Sequence, residues 1–132
     1  MSAADDIREF LRARGLAEET VNAGAEGLVA RWEQAARDTE HERYPFGVED
    51  WLDELDGRQL LHELAARVDG ALTPALVARL READARVEAS TEVVGECLWG
   101  ASMARRMKWA PKTHWWYWRR PRAVADDFEG GD

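Results

Sequence analysis

The sequence predicts a mainly α protein, a bundle of about five helices with a short extended or β segment near its C-terminus. Apolar residues recur at helical spacing in successive stretches, and turns rich in Gly or Pro separate these stretches. No strand pattern alternates with them. β-Favouring aromatic residues are concentrated in one short run, residues 113–119, which we expect to be extended.

The first two helices are predicted over residues 4–14 and 17–43. In each, apolar residues three and four positions apart form one stripe that faces the core. The second helix is weakened over residues 24–27, because each Gly costs about 1 kcal/mol relative to Ala in a helix. We therefore expect a kink or break there. The helix should end before Pro45, which disfavours a helical conformation of the preceding residue.

The third helical region spans residues 48–68 and contains two apolar groups. The dipeptide Asp56-Gly57 falls between these groups and is a turn signal, which predicts a short helix, a bend and a longer helix. The clearest helix start follows at Thr73-Pro74. Thr73 is suited to capping, and Pro74 has no N–H to leave unsatisfied at the first helical position.

Helical propensity returns over residues 101–108 and ends at Pro111. The aromatic run at 113–119 then predicts a short strand, and a lone strand must pair with another. A partner strand within residues 93–99 is one option, and the sheet edge of another molecule is the other.

The 132 residues predict a single helical domain over residues 1–124 and an acidic tail over residues 125–132 that we expect to be disordered. The domain includes residues 103–122, which we call the basic aromatic arm. The arm contains seven Lys and Arg residues and no acid, although the whole chain carries a net charge of −8. Since large aromatic surfaces are seldom left in water without a use, the arm is a candidate binding surface.

Composition narrows the class of protein. A single cysteine cannot form an internal disulfide, and the acidic N-terminus lacks the apolar run of a signal peptide. No stretch approaches the ~20 apolar residues of a membrane span. We therefore expect a cytoplasmic protein without a membrane partner. The excess of acid argues against general binding of duplex DNA.

An acidic cluster lies in the first half of the chain. On the predicted helix, Asp50, Asp53 and Glu54 share one side, while apolar residues occupy the other. Three interpretations are open: a solvated helix face, a binding patch for a basic protein and, last, oxygen ligands for a cation such as Mg²⁺. The whole cluster comprises Glu49, Asp50, Asp53, Glu54 and Asp56.

The basic aromatic arm also has three interpretations. Its rings could close one end of the bundle, dock on another protein, or stack on the bases of single-stranded nucleic acid. In an extended segment, successive side chains point to opposite faces, so both faces would carry rings. The candidate binding residues are Trp115, Trp116, Tyr117, Trp118, Arg119 and Arg120.

Motifs for catalysis, nucleotide binding and metal binding are absent from the sequence. His41, His62 and His114 are scattered without ligand spacing, so we expect no metal ion and no cofactor. Cys97 lies among acidic and apolar residues, which would raise the pKa of its thiol. We interpret Cys97 as a small buried hydrophobic residue.

The leading hypothesis is a small acidic cytoplasmic interaction protein without enzymatic activity. Its acidic cluster would attract a protein with a basic surface, and its arm would add contact area or mediate self-association. Bacterial immunity proteins and antitoxins share this size and charge but no motif, so an inhibitor of a basic toxin is one concrete form. The alternatives are a single-stranded nucleic-acid-binding module that uses the arm, and an enzyme that uses Cys97 or clustered carboxylates.

Overall fold

The computed structural model describes residues 2–123, and these form five α-helices, one 3₁₀ helix and a two-stranded sheet. The mainly helical class and the short C-terminal β segment are confirmed. The predicted acidic tail, residues 125–132, lies outside the described residues. The elements in chain order are α1 (Ala3–Ala13), α2 (Glu18–Thr39), α3 (Val48–Arg67), α4 (Pro74–Ser90), β1 (Thr91–Val93), α5 (Ala101–Met107), the 3₁₀ helix (Trp115–Trp118) and β2 (Arg119–Pro121).

Helix α2 is the centre of the bundle, because it packs against α1, α3 and α4. Trp32 of α2 stacks on Trp51 of α3 with ring centroids 6.4 Å apart, and the edge of Tyr44 meets Trp51. Burial of such large side chains is the main favourable contribution to folding. The core includes Leu11, Val21, Val29, Trp32, Trp51, Leu55, Leu61, Leu64, Val87 and Trp116.

Local signals explain where two of the helices begin. Ser2 caps α1 by accepting a hydrogen bond from the Asp5 backbone N–H at 3.2 Å. Thr73 caps α4 by accepting from the Leu76 N–H at 3.2 Å, and Pro74 follows as the first helical residue. The predicted start of the fourth helix is thus confirmed.

The kink expected in the second helix is also confirmed. Helix α2 is interrupted at Gly24, whose φ of 63° and ψ of −153° are not helical. This conformation is essentially restricted to Gly, because a Cβ atom would be strained there. The helix predicted near residue 101 is confirmed as α5.

The predicted bend at Asp56-Gly57 is wrong, because α3 continues through both residues. Gly57 costs about 1 kcal/mol in a helix. Burial of Leu55 and Leu61 on either side contributes roughly 1.5–3 kcal/mol each and outweighs that cost. The Asp56 carboxylate does not promote a turn, since it accepts hydrogen bonds from two side chains distant in sequence.

The strand predicted over residues 113–119 is wrong over most of its length, because the aromatic residues form the 3₁₀ helix and β2 begins only at Arg119. β2 pairs antiparallel with β1, and Val93 lies opposite Arg119. The suggested partner region, residues 93–99, therefore meets the observed partner only at its first residue. A strand would have pointed the consecutive Trp116 and Tyr117 rings to opposite faces, whereas the 3₁₀ turn buries both in the core.

Replacing Gly24 by Ala is expected to lower the free energy of unfolding by about 1–3 kcal/mol, because Ala adopts this backbone conformation only with strain. The added Cβ itself would be accommodated, since its nearest contact is the Ile7 Cγ2 atom at 4.0 Å. Urea unfolding monitored by Trp fluorescence measures the change.

Gly57→Ala is the matched control, because Gly57 lies in regular helix and an added Cβ would meet no atom within 4 Å apart from its neighbours in the helix. Higher helix propensity should here raise the free energy of unfolding by about 0.5–1 kcal/mol. A neutral Gly24→Ala variant would contradict the strained kink.

Candidate functional site

The four aromatic residues of the 3₁₀ helix pack on the bundle. Trp116 and Tyr117 are each only 1% exposed, whereas Trp115 and Trp118 are partly buried against the core. Successive side chains of a 3₁₀ helix are about 120° apart, so two neighbours face the core while the others remain at its rim. Of the predicted binding rings, only Trp115 and Trp118 therefore keep surface that a partner could contact.

Three hydrogen bonds fix the arm and the preceding loop to α3. The Trp51 Nε1–H donates to the Arg119 carbonyl at 2.9 Å. The Tyr117 hydroxyl and the Trp99 Nε1–H both donate to the Asp56 Oδ1 atom, at 2.7 Å and 3.1 Å. Asp56, although part of the predicted acidic cluster, is therefore the acceptor that anchors the arm.

The surroundings of Asp56 and Tyr117 shift the pKa of both groups. Desolvation raises the pKa of Asp56, and the hydrogen bonds from Tyr117 and Trp99 oppose that rise. Burial, followed by the hydrogen bond to Asp56, raises the pKa of Tyr117 far above its ordinary value. Tyr117 thus keeps its proton and remains the donor at any physiological pH.

A largely buried ion pair lies against the Trp116 ring. Arg58 donates from Nε and Nη2 to the two carboxylate oxygens of Asp84, each at 2.9 Å, and the Trp32 Nε1–H donates to Asp84 at 2.8 Å. The Arg58 guanidinium carbon lies 4.4 Å from the centre of a Trp116 ring, which is cation–π geometry. This network joins α2, α3, α4 and the arm.

Two histidines distant in sequence meet where α3 contacts the arm. The His62 and His114 rings are 5.0 Å apart, and both contact Trp116. Burial lowers the pKa of both imidazoles, and the nearby Arg58 lowers that of His62 further. The pair is therefore uncharged at neutral pH. Its two members are 52 positions apart, so no spacing pattern predicted their contact.

The predicted acidic residues share the N-terminal half of α3. Asp50 accepts a hydrogen bond from the Gly47 backbone N–H at 3.2 Å, and Glu54 pairs with Arg31 at 3.0 Å. The remaining two, Glu49 and Asp53, are exposed and form no ion pair with any described residue. We call Glu49, Asp50, Asp53 and Glu54 the acidic face.

A groove of about 240 Å³ runs along one side of the acidic face. Its most exposed apolar group is Phe46, which is 47% exposed and rests edge-on against the buried Tyr44 ring at 5.8 Å. An exposed ring beside carboxylates is suited to a cationic side chain. The groove is lined by Arg31, Gln34, Asp38, Tyr44, Phe46, Asp50 and Glu54.

Electrostatic effects on two groups show that the groove is negative. Burial raises the pKa of Glu54, and the Arg31 guanidinium only partly opposes the rise. Burial also raises the pKa of Tyr44, and the negative charges of Glu54, Asp38 and Asp50 raise it further. One guanidinium thus faces three carboxylates, which favours an additional cation.

The predicted arginines of β2 have structural partners. Arg119 donates from Nη1 to the carbonyl oxygens of Glu88 at 3.0 Å and Thr91 at 3.3 Å, and Arg120 lies 3.9 Å from Glu92. These contacts tie β2 to α4 and β1. Five further cations of the arm are exposed and form no ion pair within residues 2–123: Arg105, Arg106, Lys108, Lys112 and Arg122.

Cys97 is buried as expected, and burial raises the pKa of its thiol, which lowers its reactivity. Among residues 2–123, no group of three or more His, Cys, Asp or Glu side chains is arranged to hold a metal ion. The acidic face and its groove instead combine exposed carboxylates with an exposed ring.

Two exposed aromatic residues were missed by the sequence analysis. Phe46 lies in a turn after Pro45, and Trp99, which is 40% exposed, precedes Gly100. Turn residues at both sites were a usable signal, because a turn presents its side chains to solvent. No signal in the sequence indicated that both rings lie beside the same helix, α3.

No protein-family model, curated protein or solved structure matches the chain. No helix within residues 2–123 combines the length and apolar character that crossing a membrane requires. Function must therefore be inferred from the contacts and charges of the molecule itself.

Acidification is expected to destabilise the contact between α3 and the arm. Because the folded state lowers the pKa of His62 and His114 below 6.5, the unfolded state binds more protons as pH falls past that value. Stability contributed by neutral imidazoles is thus present above pH 6.5 and lost below it. Unfolding free energies of the wild type and of His62→Gln/His114→Gln, compared between about pH 7.5 and 5, measure the effect.

Comparing the unfolding free energies of the wild type and the double variant separates the effect of the two imidazoles from that of carboxylates that titrate in the same pH range. The double variant should lose less stability than the wild type over this range. Parallel pH profiles for the two proteins would contradict the assigned partial desolvation of the histidine pair.

Proposed function

We propose that this protein is a small acidic interaction module of the cytoplasm, without enzymatic activity, that binds a basic surface of another protein. The single observation that supports this proposal is the negatively charged groove beside the acidic face, with Phe46 exposed at its edge. The lone thiol, Cys97, fits a reducing compartment.

Charge on the acidic face favours fast association with a cationic partner. Glu49 and Asp53 are exposed and unpaired among the described residues, so a partner's Lys or Arg can reach them without displacing an existing ion pair. Complementary charge mainly raises the association rate and excludes wrong partners. Apolar contact is then needed to hold the complex.

Exposed rings on both sides of α3 supply that apolar contact. Phe46 borders the groove on the α2 side, and Trp99 is attached to Asp56 on the arm side. Aromatic residues are enriched among those that dominate binding energy. An arginine-containing segment that crosses the acidic face would meet carboxylates at its centre and a ring at each edge.

The arm has a supporting role in this proposal. Trp116 and Tyr117 are buried and hold α3 in place, while Trp115 and Trp118 line a separate groove of about 320 Å³ with Val93 and Pro111. Burial of two rings removes most of the stacking surface that single-stranded nucleic acid requires. A protein partner is therefore favoured over nucleic acid.

An inhibitor that covers the basic active surface of a toxin or nuclease is a concrete form of this function. Such inhibitors act by charge complementarity over a compact patch, which is what the acidic face offers. The chain is small, at 15.0 kDa, and its negative charge exceeds its positive charge by eight.

A short synthetic peptide rich in Arg, Lys and Phe is a suitable probe, with an acidic peptide of equal length as the negative control. At low salt, the basic peptide should shift the backbone amide NMR signals of Phe46, Asp50, Asp53 and Glu54 and saturate. Asp50→Asn/Asp53→Asn should weaken binding about tenfold or more, which corresponds to about 1.4 kcal/mol.

Glu82→Gln/Glu88→Gln is the matched variant, because it removes two exposed carboxylates from α4 and gives the same net charge. It should change the affinity less than about twofold. Equal losses of affinity in both double variants would show that net charge alone attracts the peptide, and this result would contradict the proposal.

A further inference from the structure

Two surfaces of opposite charge lie near opposite ends of α3. The acidic face occupies its N-terminal half. Met107 of α5 lines a cleft of about 290 Å³ with His62, Ala66 and Arg67, which belong to the C-terminal half of α3. From Asp50 to Ala66 the helix rises about 24 Å at 1.5 Å per residue. We call Arg105, Arg106, Lys108 and Lys112, together with Met107, the basic end.

Charges at both surfaces lack partners within one copy of residues 2–123. Glu49 and Asp53 form no ion pair there, and neither do the four cations of the basic end. Each surface is available to an oppositely charged surface on a second molecule.

Each surface also carries one large exposed apolar side chain. Phe46 at the acidic face is 47% exposed, and Met107 at the basic end is 49% exposed. Met sulfur packs favourably against the edge of an aromatic ring, at about 5 Å. A contact between the two surfaces would thus cover both apolar groups while pairing their charges.

From this complementarity we propose that the protein associates with a second copy of itself, the basic end of one copy docking on the acidic face of the next. The inference rests on the proposed function, since it assigns a partner to the same acidic face. The two contacting surfaces differ, so the contact is head-to-tail and leaves one free surface at each end of the assembly. Such assembly grows with concentration unless the geometry closes it into a ring.

Sedimentation of nuclease-treated protein tests this association. At about 0.1 M salt, the weight-average mass should rise above 15.0 kDa as the protein concentration increases. At about 1 M salt, where the Debye length is near 3 Å, the mass should return to that of the monomer. A mass that stays at 15.0 kDa at all concentrations in low salt would overturn the inference.

Mixing two blocked variants gives the sharper test. Asp50→Asn/Asp53→Asn lacks a working acidic face, and Arg105→Gln/Arg106→Gln lacks a working basic end, so each alone should remain a monomer. Together they retain one intact pair of surfaces and should form a dimer of about 30 kDa that grows no further. A mixture that stays monomeric would refute head-to-tail docking, whereas Glu82→Gln/Glu88→Gln should assemble like the wild type.

Failure of this inference is distinguishable from failure of the proposed function. The variant Arg105→Gln/Arg106→Gln keeps its acidic face and should still bind the Arg- and Lys-rich peptide. If it binds the peptide while the wild type never associates, self-association is refuted and the module still recognises basic partners. If it does not bind the peptide and the wild type never associates, both are refuted.

Discussion

Burial of Trp116 and Tyr117 against α3 is the contact on which the rest of the described structure depends. Packing of one Trp side chain removes about 150–250 Å² from water, worth roughly 4–6 kcal/mol at about 25 cal/mol per Å². The buried Nε1–H of Trp116 has no acceptor among the described residues, which costs about 1–3 kcal/mol. The free energy gained by burying the Trp116 ring exceeds that cost. The cation–π contact with the Arg58 guanidinium stabilises the buried ring further.

The sides of α3 therefore face three different surroundings. Trp51 and Leu55 face the core, Asp56 faces the arm, and Asp53 faces solvent. Glu49 and Asp53 form no ion pair within residues 2–123. The arginines of β2 instead contact the carbonyls of Glu88 and Thr91 and the Glu92 carboxylate. An acidic face and a basic end can therefore coexist on one small protein without cancelling each other.

Local signals predicted the parts of the fold that short-range chemistry controls. Capping by Thr73 and the kink at Gly24 follow from neighbouring residues alone, and both were predicted. The continuity of α3 and the 3₁₀ conformation of the arm were not, because each depends on contacts such as Asp56 with Tyr117, 61 positions apart. The acidic face could be predicted from helical spacing. Its groove could not, since Phe46 reaches it through the tertiary fold.

Hydrogen exchange of the indole N–H protons tests the docking of the arm most directly. The Nε1–H of Trp51 bonds to the Arg119 carbonyl only when β2 lies against α3, so its exchange reports on that contact in a single molecule. At a concentration where the protein is monomeric, we expect this proton to exchange as slowly as the Trp32 Nε1–H, which Asp84 binds in the core. Exchange of the Trp51 proton at the rate of a solvent-exposed indole would contradict a docked arm and the division of α3 that follows from it.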